Sequence, residues 1–198
     1  IPAEVGYAEA AAFSVAGLSS WLFLQKFGGM EAGRRVLIIG ASGGLGTFAV
    51  QLAHHYGAEV AGVCSTRNVE LVSSLGADEV IDYTRDDPTD ARDAYDVIFD
   101  TVAVGTFGAY RRVLRPAGVY STTVLKPRVL VAMALNPLRR SGRRAQFMVG
   151  SGDPQEGLGR LRDLFIEGAL RSVIELQLPL EQVVEGHHHY EIGHTRGK

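Results

Sequence analysis

Cysteine is almost missing from this 198-residue chain, with Cys64 standing alone. A single thiol excludes an intramolecular disulfide framework and a cysteine-built structural zinc cluster, and it fits a reducing compartment. An excess of basic charge is missing too: 20 Lys and Arg face 22 Asp and Glu, so no positive field draws in nucleic acid. Apolar runs such as "VLVAMAL" at 129–135 fall well short of the roughly 20 residues of a membrane span. The opening residues carry glutamates and no basic cluster, which is not the pattern of a cleaved signal. Together these absences lead us to expect a cytoplasmic protein with no nucleic-acid or membrane partner. No repeat or low-complexity tract stands out, and 46% hydrophobic with 21% charged residues is the composition of an ordinary globular chain.

What is present is alternation. Short runs rich in Val and Ile at 36–39, 60–63, 80–82, 97–100 and 119–123 read as strands, with 145–149 as a sixth. Helical spacing fills the intervals: Thr47, Val50, Gln51, Ala53 and His54 run to Gly57, a second helix covers 68–75 before Gly76, and another covers 107–114 before Pro116 and Gly118. Continuous apolar strands joined by helices imply a parallel sheet covered on both faces with right-handed crossovers, a Rossmann-type doubly wound α/β fold. Beyond Thr123 the pattern loosens. "LKPRVLVAMALNPLRRSGRR" reads as an apolar helix packed on the sheet and a basic turn, and 155–168 as a helix with Leu158, Leu161, Leu164 and Phe165 on one face. "VIELQL" reads as a short strand before a last helix. Arg139, Arg140, Arg143 and Arg144 belong more naturally to a solvated turn than to a polyanion site.

The chemistry gathers at "VLIIGASGGLGTFAV", where Gly40, Gly43, Gly44 and Gly46 join the first strand to its helix. Residues without a Cβ let backbone N–H groups approach a pyrophosphate at the positive helix end. In a strand–turn–helix setting this is the dinucleotide-binding arrangement, whereas a Walker-type site fails because no Gly-Lys-Ser/Thr follows. After the second strand stands "VCSTRN", with hydroxyls and Arg67 but no carboxylate. An acidic residue there would favour NAD, so NADP(H) is expected. Ser65 and Thr66 can donate to a 2′-phosphate, and Arg67 can pair with it or stack on adenine; an N-cap followed by an exposed arginine is the structural alternative. A short-chain dehydrogenase would carry Tyr-x-x-x-Lys, and no tyrosine here has a lysine four residues on.

"AEAAAFSVAGLSSWLFL", "AGRRVLIIGASGGLGTFAVQLA", "LGADEVIDY", "DVIFDTV", "LRPAGVY" and "GHTRGK" occur in this order and resemble the medium-chain dehydrogenase/reductase superfamily, most closely its zinc-independent quinone-oxidoreductase branch. The resemblance implies that Ser42, Gly43, Gly44 and Leu45 cradle the pyrophosphate and that Ser65, Thr66, Arg67 and Asn68 lie near the 2′-phosphate. It puts Tyr83 beside the adenosine, Thr101 and Val102 after the fourth strand and Ser121, Thr122 and Thr123 after the fifth toward the cofactor, and Ser19 near the nicotinamide. No catalytic residue is assigned. Val15 stands where metal-dependent relatives bring a cysteine ligand, so no metal is expected. Three consecutive histidines, His187, His188 and His189, cannot share one helix face, and Cys64 reads as a small buried hydrophobe.

Three segments are implied: 1–30 as linker and helix from a catalytic region, 31–150 as the NADP-binding domain, and 151–198 as helices returning toward a catalytic domain that this chain does not include. The implied activity is NADPH-dependent reduction of a quinone or an α,β-unsaturated carbonyl, in a homodimer formed through the sheet edge at "AQFMV". The alternatives are a zinc-independent alcohol dehydrogenase or enoyl reductase of the same superfamily, or a non-catalytic NADP-binding module.

Overall fold

A computed structural model describes residues 5–27, 30–147, 152–193 and 195–198. Helix α1 (Tyr7–Phe27) leads into β1 (Arg35–Ile39), α2 (Gly44–His55), β2 (Glu59–Cys64), α3 (Val69–Ser74), β3 (Glu79–Asp82), β4 (Tyr95–Asp100), α4 (Phe107–Tyr110), β5 (Leu114–Thr122), α5 (Pro127–Ala134), β6 (Arg144–Phe147), α6 (Pro154–Ile166) and α7 (Val183–Ile192). The six strands form one parallel sheet in the order β3-β2-β1-β4-β5-β6. The chain reverses direction across the sheet between β3 and β4, which leaves a crevice beyond the carboxyl ends of β1 and β4.

The strands read as unbroken apolar runs because both faces are covered. Val36 and Ile38 enter one core with Val60, Val97 and Phe99, whereas Leu37 and Ile39 enter the other with Ala61, Val63, Ile98 and Tyr120, as the strand period of two requires. The first core is closed by α1, α2 and α6, where Phe23 stacks on Phe99 at a centroid distance of 3.8 Å and Phe13 meets Phe165 at 4.8 Å. Of these rings Phe23 and Phe99 are fully buried, and each such side chain contributes roughly 1.5–3 kcal/mol relative to exposure. Helix α1 is also long and apolar enough, at a mean hydropathy of 1.2, to match a membrane span, although half of that window is buried in the fold. The sequence runs did not show this because alanines, glycines and serines interrupt the large apolar residues of a helix that still averages as apolar.

Three expectations need correcting. The helix over 107–114 is one turn, Phe107–Tyr110, because Leu114 already pairs with Tyr95 at the start of β5 and Val113 is fully buried. "VIELQL" is not a strand: it has no sheet neighbour, and its backbone instead meets the chain end, with Lys198 N–H donating to Val173 O at 2.9 Å. Helix α5 rests on the sheet less fully than its sequence promises, with Val129 buried but Leu130 and Val131 more than half exposed. Of the predicted sixth strand, 145–147 lie in β6 while 148 and 149 fall outside the described residues. The basic turn is built into the fold at two points: Arg139 lies over the Phe107 ring and donates to Ala132 O at 2.6 Å, and Arg143 pairs with Asp93 and donates to Leu114 O.

Candidate functional site

The glycine turn sits at the head of the crevice. Gly40 takes a left-handed φ of 78°, and the N–H groups of Gly40 and Ala41 both donate to Val63 O at 3.1 and 3.0 Å, which ties the turn to the end of β2. Gly46 must lack a side chain, since a Cβ there would run into Gly40 O and lie 2.7 Å from Ala41 Cα. Helix α2 therefore starts hard against the strand, with Gly43 as its N-cap, no capping side chain and no acidic residue in its first turn. Its positive end is left for an anion.

Two lobes open on either side of this turn, and both are bordered by Gly43, Val102 and Thr195. One, of about 590 Å³, is lined by Ser42, Ser65, Asn68, Tyr83 and Val104 among others. The other, of about 480 Å³, is lined by Gly44, Leu45, Thr101, Glu175, His189 and Lys198 among others. The structure thus brings together Ser42, Gly43, Gly44, Leu45, Ser65, Asn68, Tyr83, Thr101 and Val102. Asn68 is buried; its amide N–H donates to Ser42 Oγ at 3.0 Å and Ser65 Oγ at 3.3 Å, and its Oδ1 has no protein partner among the described residues.

Other expected residues stand elsewhere. The Thr66 hydroxyl is committed to Asp82 at 2.6 Å, where with Thr84 it holds the Asp82 carboxyl below its ordinary range. Arg67 is exposed outside both lobes, with its charge felt at Glu175. Ser121 and Thr122 are buried and line neither lobe, and the Thr123 hydroxyl donates to Thr101 O at 3.0 Å. Strand β5 continues through Thr122, so Ser121 and Thr122 belong to the sheet, and Thr123 is the first residue beyond it. Ser19 also lines neither lobe; its neighbour Ser20 donates to Leu45 O at 2.9 Å, joining α1 to the start of α2. Burial and the Asp82 charge push the Cys64 thiol up to about 11, so at neutral pH it is an inert apolar group.

The residue missed by sequence reasoning is Lys198. Gly197 N–H donates to Ser42 O at 2.8 Å, and Gly197 forms a parallel bridge with Gly43. This pairing lays Lys198 across the turn, where a Cβ on Gly44 would lie 2.6 Å from Lys198 Cε and 2.9 Å from its Nζ. An ammonium over a positive helix end repels it unless an anion comes between them, and no described residue forms an ion pair with Lys198. Glu175 braces the same segment by accepting from Arg196 N–H at 2.9 Å and facing His189 Nε2 at 3.1 Å. Burial pushes the Glu175 carboxyl up, but Arg196, His189 and Arg67 together outweigh it and hold the group below its ordinary range. The sequence offered one signal, "GHTRGK", without a role attached to its lysine.

A parallel sheet with an uncapped glycine turn at its topological switch point defines a dinucleotide-binding α/β unit. The chain belongs to the zinc-binding dehydrogenase family, whose model matches residues 75–198; this agrees with the medium-chain dehydrogenase/reductase resemblance. It is 33% identical over 224 residues to "NAD(P)H oxidoreductase RTN4IP1, mitochondrial" of Mus musculus, covering all of this chain and 56% of that protein. It is 33% identical over 201 residues to the "2-methylene-furan-3-one reductase" of Solanum lycopersicum, covering all of this chain and 47% of that one. The quinone oxidoreductase structure from Coxiella burnetii superposes with a TM-score of 0.84 at 26% identity, over 99% of this chain and 61% of that one. The chain thus spans about half to three fifths of these relatives. Although the family is named for zinc, the described residues contain no group of three or more His, Cys, Asp or Glu placed to hold a metal.

Proposed function

We propose that this chain is the nucleotide-binding part of an NADPH-dependent oxidoreductase that reduces a quinone or an α,β-unsaturated carbonyl. The observation that carries the reading is the uncapped start of α2 with the Lys198 ammonium laid over Gly44, two positive groups that need an anion between them. The N–H groups of the turn and Lys198 would hold the pyrophosphate. The lobe with Ser65, Asn68 and Tyr83 would take the adenosine, where the unpartnered Asn68 Oδ1 can accept from it. Preference for NADPH is supported by the absence of a carboxylate after β2 and by the positive charge of Arg67, which is exposed and is felt at Glu175 in the wall of the second lobe. When bound, the nicotinamide supplies the hydride. The chain's own residues bind and orient it, and activation of the acceptor in this reading relies on hydrogen bonds rather than zinc, with Val15 at the position of a metal-ligating cysteine.

The names of the relatives support a quinone or an enone as acceptor. A related alcohol dehydrogenase is the catalytic alternative, and a binding module without turnover is the non-catalytic one. The three-segment division, a homodimer through the outer edge of β6, and a reducing compartment, either the cytoplasm or the mitochondrion that the mouse relative's name gives for that protein, complete the proposal; no membrane or nucleic-acid partner is part of it. Titration with NADPH and NADH, followed by nicotinamide fluorescence with Arg67→Ala alongside, tests it. Tighter NADPH binding that weakens in the variant is the expected result, and binding of neither nucleotide overturns the reading.

A further inference from the structure

A carboxylate outside the proposed chemistry lies in the floor of the crevice. Asp100, at the end of β4, is fully buried, yet none of the contacts made by its oxygens is to a cation. Its Oδ2 accepts from the Tyr120 hydroxyl at 2.7 Å and from Gly105 N–H at 2.9 Å, and its Oδ1 accepts from Val102 N–H at 3.3 Å. Two of the three donors are backbone groups of the same loop, 101–105, which therefore curls around its own carboxylate. Tyr120 is itself fully buried in the adjacent strand β5 and stacks on Tyr110. Burial, the Asp100 charge and the hydrogen bond all raise its hydroxyl far above its ordinary range, so it stays a donor.

The same loop is fastened from outside. Lys126 Nζ donates to Ala103 O at 2.7 Å, and Arg128 donates to Gly105 O at 3.2 Å. Ala103 carries a left-handed φ of 54°, a conformation that a residue with a Cβ holds only when its surroundings impose it. Gly105 fits because it has no side chain: a Cβ would lie 2.5 Å from the Tyr110 ring and 3.0 Å from Asp100 Oδ2. The product of this clasp is the exposure of two apolar side chains. Val102 is 49% and Val104 69% exposed, and both line the lobe that holds Ser65, Asn68 and Tyr83.

We propose that Asp100 is a positioning residue for the nucleotide: through its bonds to Tyr120, Val102 and Gly105 it holds Val102 and Val104 as an apolar wall of the lobe that Tyr83 also lines. This rests on the reading of that lobe as an adenosine site. Asp100 does not touch the ligand, so its removal acts on affinity and leaves the reacting end alone.

The experiment compares wild type with Tyr120→Phe, Asp100→Asn and Gly105→Ala, each checked for its thermal transition. The readouts are the affinities for NADPH and for 2′,5′-ADP, which carries the adenosine half, and hydrogen exchange at the Val102 and Gly105 amides. Exchange at these amides should quicken in Asp100→Asn, and both ligands should weaken by the same factor, about tenfold for one lost hydrogen bond to a charged group. In the full-length enzyme the KM for NADPH should rise while kcat stays unchanged, a split that a merely destabilised fold does not produce. Unchanged exchange and unchanged 2′,5′-ADP affinity in folded Asp100→Asn and Tyr120→Phe overturn the proposal. If wild type binds neither ligand, the adenosine reading has failed and the positioning role falls with it, whereas quickened exchange would still show the loop to be held by Asp100.

Discussion

The two ends of the same sheet are built on opposite plans. At the amino ends of β1 to β5 the charged side chains answer one another. Arg35 pairs with Glu59 at 3.1 Å and Glu79 at 3.6 Å, and Asp96 accepts from Arg35 N–H at 2.9 Å and from Arg115 at 2.8 Å. At the carboxyl ends, the start of α2 has no cap, Lys198 has no ion-pair partner among the described residues, and Asn68 Oδ1 is left unpartnered. One end is largely completed by its own side chains; the other is the one that the proposed nucleotide would complete. Unsatisfied groups cost stability wherever they occur, and Trp21 Nε1, buried without a partner away from the crevice, shows that they are not confined to one end; at the carboxyl ends, though, they face open lobes that a ligand could fill.

The contrast can be broken most severely at Gly46. Gly46→Ala puts a methyl into the path of Gly40 and Ala41, and we expect a stability loss of about 3 kcal/mol, read as a lowered urea midpoint, together with lost nucleotide binding. At the finished end, Asp96→Ala removes the acceptor shared by Arg35 N–H and Arg115. A loss of about 2 kcal/mol is expected, with the affinity of the surviving folded fraction for NADPH unchanged by fluorescence titration. Changed affinity would mean that the two ends are coupled.

Lys198→Met should invert that result. The side chain lies over the helix start without an ion-pair partner among the described residues, so the thermal midpoint should hold while NADPH affinity falls about tenfold and becomes less sensitive to salt. The smallest effect belongs to pH. Because the Glu175 carboxyl is held below its ordinary value of 4.5, it adds stability above that pH, and the contribution is lost as pH falls through the lowered value. Denaturant unfolding between pH 6 and 3 should therefore show a shallower decline in Glu175→Gln than in wild type. Parallel declines would remove Glu175 from the clasp that carries Lys198.

Much of the site was legible where it depended on local chemistry. The glycine turn could be read from Gly40 to Gly46 because strand, turn and helix are consecutive, and Ser42, Ser65, Asn68 and Tyr83 do meet in one lobe. Ser121 and Thr122 were harder, because their exposure depends on where β5 ends, and the sheet carries it through Thr122. Thr66 carries a hydroxyl of the right kind, but no local pattern reveals that Asp82, from the next strand, has already taken it. "VIELQL" alternates like a strand, yet alternation cannot supply a neighbour in a sheet.

By itself the sequence determined the parallel α/β order and the glycine turn, since both follow from residue type and short-range spacing: apolar runs buried on two faces, and absent Cβ atoms where a strand meets a helix. Tertiary structure alone decided which charges would remain unanswered. Lys198 reaches the glycine turn because Gly197 pairs with Ser42 and Gly43, and Asp100 is held at the end of β4 because Tyr120 arrives beside it on the neighbouring strand. Contacts between residues so far apart along the chain depend on how the whole sheet closes, and no window of sequence contains that information.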